Sequence, residues 1–236
     1  ELFKPKNLDR FKSIKNRKIV VGWVGNSKWA SELEDFKGLN SILKPAIDEL
    51  IEEGYPIKYF FADRQERFIP HSEMPDYYSK IDIYVCPSKI EGTPNPVLES
   101  MACGVPIIST DVGIVPQSFG DKQKKYILKE RSINAVKSAI IELINNPEEF
   151  EDLSLENLNQ IEDWKWSIKA KRFGDFFDSV TMTKRWLAIL GDLGYDFLLH
   201  VNQILAWYRK KLKYKSHWSL SKYVKDNVKS SVSFIT

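Results

Sequence analysis

Cysteine is scarce in this 236-residue chain: there are two, beside three methionines and three histidines. Cys86 falls in an apolar strand and Cys103 in a small-residue helix. Neither has metal-ligand company at usable spacing, and two core thiols fit a reducing compartment. No run of 18 uncharged apolar residues occurs, so no spanning helix is expected. No signal-peptide pattern opens the chain. The phosphate loop Gly-x-x-x-x-Gly-Lys-[Ser/Thr] is missing, and Gly22-Trp23-Val24-Gly25 lacks the third glycine of a dinucleotide fingerprint. These absences point to a cytoplasmic protein that is neither a P-loop enzyme nor a disulfide scaffold.

Charge is small in sum and uneven in place. The formal net charge is +3. Residues 1–180 carry 25 Lys+Arg against 29 Asp+Glu, and residues 181–236 carry 10 against 3. The body is mildly acidic and the tail strongly basic.

Apolar runs alternate with helical stripes. Ile19-Val20-Val21-Gly22-Trp23-Val24, Ile57-Lys58-Tyr59-Phe60-Phe61, Asp82–Cys86, Val105–Thr110 and Tyr126-Ile127-Leu128 read as strands. Between them, positions 39, 42, 43, 46, 47, 50 and 51 form one face of a helix that Pro45 kinks or restarts and Gly54 ends. Pro75–Tyr78, Ile133–Ile144, Pro147–Leu158 and Trp164–Phe177 read as further helices. The fold class is therefore α/β, a Rossmann-like parallel sheet with helices on both faces. Right-handed crossovers bring the loops at Gly25, Asp63, Glu91 and Asp111 to one edge, where ligands bind in open parallel sheets.

One of those loops carries most of the chemistry. It reads Glu91-Gly92-Thr93-Pro94-Asn95-Pro96-Val97-Leu98-Glu99, followed by Ser100-Met101-Ala102-Cys103-Gly104. Asn95 is a suitable N-cap and Pro96 a suitable first helical residue. The N–H groups of Val97 and Leu98 would then be free to meet an anion. Glu99 lies one turn in, ready to accept hydrogen bonds from hydroxyls, and Glu91 is held on the loop by Gly92 and Pro94. An anion cradle beside two hydroxyl acceptors suits a ligand that is both phosphate and sugar.

The two glutamates with seven residues between them, the preceding Pro87-Ser88 and the following Gly104-Val105-Pro106 resemble the donor motif of retaining GT-B glycosyltransferases, family 4. The resemblance covers residues 1 to about 178. It implies a glycosyltransferase that moves a sugar from a nucleoside-diphosphate-sugar donor to an acceptor. It places Glu91 beside the donor sugar as the catalytic carboxylate and Glu99 at the ribose. It places Gly25, Asn26, Lys37, Gly92, Thr93, Pro94, Asn95, Pro96, Val97 and Leu98 around the donor. Lys37-Gly38 fits the family's Lys-Gly pair at the diphosphate. Asn26 stands where the family often has arginine, and Gln117 where it often has an acid. His71 falls where the family places backbone against the base; its side chain reads as a surface histidine. No cofactor and no metal are implied, because the Asp-x-Asp motif of the metal-dependent fold is missing.

The resemblance also implies an organisation, with 1–17 as an interdomain linker remnant and 18–180 as the nucleotide-sugar-binding domain; charge and apolar periodicity add 181–236 as a basic amphipathic helical extension. The acceptor glycan, lipid or protein would be held by an N-terminal domain that this chain lacks. Apolar positions from 186 to 208 form a stripe, and basic residues follow it to Lys215. That segment suits packing on another domain or peripheral contact with the cytoplasmic face of a membrane. No nucleic-acid motif accompanies it. Three readings stay beside transfer: a sugar-nucleotide epimerase, a phosphorylase on the same fold, and a non-catalytic nucleotide-binding or scaffold module.

Overall fold

A computed structural model describes residues 2–30, 32–181, 201 and 203–207. Five parallel strands run β1 Ile19–Gly25, β2 Ile57–Asp63, β3 Ile83–Cys86, β4 Ile107–Thr110 and β5 Ile127–Leu128. Their order across the sheet is β2-β1-β3-β4-β5. The helices are α1 Lys44–Glu52, α2 Met74–Tyr78, α3 Asn95–Ala102, α4 Val115–Ser118, α5 Ile133–Asn145, α6 Glu149–Gln160 and α7 Trp166–Thr181. This is a Rossmann-like parallel α/β sheet, as the strand–helix alternation predicts.

Side chains alternate across the sheet with the strand period of two, and that alternation builds two cores. Ile19, Val21 and Trp23 of β1 join Ile83 and Val85 of β3 on one face, with Leu43, Ile47 and Leu50 packed over them. Val20 joins Tyr84, Cys86 and Ile107 on the other, covered by Tyr77, Tyr78, Val97 and Met101. Both cysteines are buried and free. Pro45 falls in the first turn of α1, and a short π-helical turn at Leu39–Leu43 precedes it. The proline therefore restarts the helix, because its ring is compatible only with the first turn.

Within the stretch expected as a linker, residues 8–17 pack on this domain. A 3-10 segment at Leu8–Asn16 buries Phe11 and Ile14 in the first core. Arg17 holds Asp82 with two bonds, Nη1 to Oδ2 at 2.6 Å and Nη2 to Oδ1 at 2.7 Å. The Asp82 carboxylate also accepts the Val20 N–H at 2.8 Å, and Arg10 Nε lies 3.6 Å away. The apolar spacing of Phe11 and Ile14 was the available signal; it is too short to register as a helix stripe.

The chain divides into units Glu1–Arg172 and Phe173–Thr236, eight residues earlier than the boundary expected at 180. Val201 and residues 203–207 are helical. The remainder of the apolar stripe, Gly191 and Gly194 within it, and the basic segment to Lys215 lie outside the described residues. Among the described residues, no helix is long and apolar enough to cross a membrane.

Candidate functional site

The strand order reverses between β1 and β3. Their following loops turn opposite ways and leave a crevice at the carboxyl edge of the sheet. A cleft of 620 Å³ opens there. It is lined by Gly25 at the end of β1 and Asn26 after it, by Lys37, and by Arg64, Arg67 and Phe68 after β2. Glu91, Thr93, Pro94, Asn95, Pro96 and Glu99 close it from the motif loop and α3. Nine expected positions thus meet in one place. Gly92, Val97 and Leu98 do not line it.

The local reason is a one-residue shift of the helix start. Pro94, with φ −70° and ψ 90°, occupies the N-cap, and Asn95 is the first helical residue with no side-chain cap bond. The Val97 N–H donates to the Pro94 carbonyl at 2.9 Å, so it is not free for a ligand. Val97 is fully buried and Leu98 packs against the same core. Gly92 works from behind: its carbonyl accepts the Ile114 N–H at 3.1 Å. The Asp111 loop therefore supports the motif loop and does not line the cleft. Gly113 permits this contact. Its φ is +52°, and a Cβ there would stand 2.0 Å from the Gly92 carbonyl oxygen.

Lys37 reaches the cleft because its turn is fastened at several points. The Asp35 carboxylate accepts the N–H groups of Gly38, Asn40 and Ser41, each at 2.8 Å. Arg131, from the loop before α5, donates through Nε to the Pro87 carbonyl at 2.8 Å and through Nη2 to the Asp35 carbonyl. Lys37 Nζ then meets Glu91 Oε1 at 2.6 Å, and the Trp29 ring lies 5.3 Å from the ammonium. Gly38 is required twice over. Its φ is +69°, and a Cβ would lie 2.4 Å from the Pro87 carbonyl oxygen. We expect Gly38→Ala to cost about 1–3 kcal/mol in urea unfolding, the range for backbone held in a disfavoured region. An unchanged unfolding midpoint would show that the turn relaxes without Lys37's present placement.

Glu99 is held by two side chains that the sequence did not single out as its partners. The Tyr78 hydroxyl donates to Oε2 at 2.8 Å, and His71 Nε2 stands 3.5 Å from Oε1. Burial raises the Glu99 pKa, and the Tyr78 bond partly offsets it. His71 is exposed, as expected, yet its ring edge packs on Phe3 at 5.2 Å and it faces a glutamate of the motif. Asn26 accepts the Lys28 N–H at 3.1 Å and the Gln65 side-chain amide at 2.8 Å. It thereby joins the β1 loop to the β2 loop. Sequence reading brought the Asp63 loop to this edge but did not name its arginines. Their position directly after β2 was the signal.

The chemistry of this arrangement is recognition of a polar, anionic, hydroxyl-rich ligand. Two glutamates offer acceptors, and Lys37, Arg64 and Arg67 offer positive charge. Among the described residues, no group of three or more His, Cys, Asp or Glu side chains could hold a metal ion.

Comparison with known proteins agrees with the motif. Residues 64–158 match the family model of glycosyl transferases group 1. The lipopolysaccharide core biosynthesis mannosyltransferase LpsB of Rhizobium meliloti is 46% identical over 52 residues, which is 22% of this chain and 15% of that protein. The O-antigen chain mannosyltransferase B of Escherichia coli is 26% identical over 99 residues, 42% of this chain and 26% of that protein. The chain thus spans about a quarter or less of these relatives' length. In fold it is similar to the catalytic domain of starch synthase IV from Arabidopsis thaliana bound to ADP and acarbose. There the TM-score is 0.53 at 15% identity, over 71% of this chain and 39% of that one. The chain resembles the group 1 glycosyltransferases in motif, and its parallel sheet has the fold seen in solved glycosyltransferase structures.

Proposed function

We propose that this chain is the donor-binding half of a retaining glycosyltransferase that uses a nucleoside-diphosphate sugar. The observation that carries the reading is the convergence of Lys37, Glu91 and Glu99 on one cleft at the strand-order reversal. The sugar would lie at Glu91, the diphosphate near Lys37 and the amino end of α3, and the ribose at Glu99. Dipole and cation would stabilise the charge that grows on the leaving diphosphate. That the starch synthase structure holds ADP, and that two relatives are named mannosyltransferases, supports a nucleotide donor and a hexose. The acceptor would be a glycan or glycoconjugate held by a second domain, since transfer needs donor and acceptor fixed together. No metal or cofactor enters this scheme. A cytoplasmic site is proposed, with the basic segment to Lys215 as its contact to a membrane face or to another domain.

The reading is tested by calorimetric titration of the chain with UDP, GDP and ADP and their sugars. One nucleoside diphosphate should bind, and Glu99→Ala should weaken it by about 1–3 kcal/mol. Absence of heat with all of them at millimolar concentration would end the assignment. Acid should also weaken binding. Glu99 accepts hydroxyl hydrogen bonds most strongly when ionised, and burial raises its pKa above the ordinary value of 4.5. Affinity should therefore fall as pH drops through a window above that value, and Glu99→Gln should flatten the profile. Repeating the profile in His71→Asn separates the histidine that faces the same carboxylate.

A further inference from the structure

The cleft has two cationic side chains that neither the motif nor the resemblance assigns. We infer that Arg64 and Arg67 are the main anion-binding groups of this cleft and take the role that Asn26 does not fill. The inference rests on the nucleotide reading above and adds to it the residues that bear the phosphate charge.

The argument is one of charge. The acidic and basic side chains lining the cleft are Lys37, Arg64, Arg67, His71, Glu91 and Glu99, while burial keeps the lining Tyr84 and Cys86 neutral. Lys37 is already matched by Glu91 at 2.6 Å. Glu99 adds a second carboxylate, and its nearest partners are a tyrosine hydroxyl and His71. With His71 neutral and the two arginines removed, the lining would carry one positive and two negative charges. Such a surface repels a diphosphate. The arginines turn that deficit of one into a surplus of one. Both are also free to act, for among the described residues neither forms an ion pair. Asn26, a polar side chain at this edge, carries no charge, and its Oδ1 is engaged by the Lys28 N–H and the Gln65 amide.

Placement supports the charge count. β2 pairs with β1 so that Gly25 stands opposite Asp63, and the Arg64 N–H donates to the Gly25 carbonyl at 2.9 Å. Arg64 is thus fixed beside the loop from which the family's arginine would come. The next turn is held as well: the Arg67 N–H donates to the Asp63 carbonyl at 2.7 Å. The buried Asp63 carboxylate joins the two loops by accepting the Ser27 and Gln65 N–H groups at 3.1 and 3.2 Å. The guanidinium groups rest on aromatic rings, Arg67 at 4.8 Å from Phe60 and Arg64 at 5.9 Å from Phe68. Stacking on one face leaves the planar edge of a guanidinium available for bidentate contact with phosphate oxygens.

The test is a ladder of ligands on the full chain: nucleoside, nucleoside monophosphate and nucleoside diphosphate, of whichever base binds best. Wild type should gain affinity with each phosphate. Arg64→Gln and Arg67→Gln should each weaken the diphosphate about tenfold, the size of a hydrogen bond to a charged group. The double variant should bind nucleoside and diphosphate within about threefold of each other, a difference well under one charged hydrogen bond. Arg→Lys at either position should recover part of the loss, since charge returns without the fork. Both side chains are exposed, so the variants should unfold at the wild-type urea midpoint. Equal losses for nucleoside and diphosphate would assign the arginines to the base and overturn the inference. Diphosphate binding that survives in the double variant would overturn it alone and leave the nucleotide reading standing. Failure of every nucleoside diphosphate to bind wild type would remove both.

Discussion

Asp82→Ala should destabilise the domain by about 3–5 kcal/mol, the range for breaking a buried ion pair by removing one partner. The reason is the positive charge left without a carboxylate, together with the Val20 N–H left without its acceptor. Asp82 is 1% exposed and sits at the amino end of β3, on the side of the sheet opposite the cleft. It receives both terminal nitrogens of Arg17 and the Val20 N–H, and Arg10 Nε is within 3.6 Å. Arg10 is itself buried, and burial pushes its guanidinium down to about 10, so it remains charged at neutral pH. Without Asp82 that charge loses its only nearby carboxylate among the described residues. Asp82→Asn keeps an acceptor for Val20 and should cost less than alanine. Arg17→Ala should cost less again, because its side chain is 30% exposed and water can replace part of the bond. Urea unfolding followed by circular dichroism gives the order. A loss below about 1 kcal/mol for Asp82→Ala would mean that Phe11 and Ile14, rather than this network, fasten the 8–16 segment.

Why the sheet was legible and this network was not comes down to range. Strands β1 and β3 are nearly continuous apolar runs, and the motif helix is marked by its own proline and glycine. Such signals are local, and they place Glu91, Glu99 and Lys37 on the right edge once parallel order is assumed. The Asp82 network joins residues 65 positions apart, and no periodicity reports it. The same holds for Arg131, which braces the Lys37 turn from 96 residues away, and for Tyr78, whose hydroxyl reaches Glu99 from the far end of α2. The one local error in the motif, Asn95 as N-cap, has a local cause. Asn-Pro at a helix start fits either the cap and first residue or the first two residues. The choice went to Pro94, whose extended ψ of 90° ends the loop one residue earlier. That shift matters to chemistry, because it ties the Val97 N–H to Pro94 and moves the burden of anion binding toward side chains.

Glu91→Gln should produce opposite effects on two measurements. In an enzyme that joins this half to an acceptor domain, transfer should fall about 10²–10³-fold, as when one preorganised group at the developing charge is removed. The nucleoside diphosphate itself should bind more tightly. Lys37 Nζ is engaged by Glu91 Oε1 at 2.6 Å, with both side chains mostly buried. A diphosphate must compete with that carboxylate for the lysine, and it also meets the carboxylate's own negative charge. Glutamine removes the charge and weakens the competing bond. The gain should be roughly two- to fivefold, the worth of an ion pair that keeps some contact with water. The sugar of an intact donor gives Glu91 hydroxyls to bind instead of Lys37, so the variant should lose much of wild type's preference for sugar nucleotide over free nucleoside diphosphate. Titration of both ligands against both proteins measures that preference directly. If Glu91→Gln binds the nucleoside diphosphate no better than wild type, Lys37 is not being withheld by Glu91, and the two residues act on the donor independently.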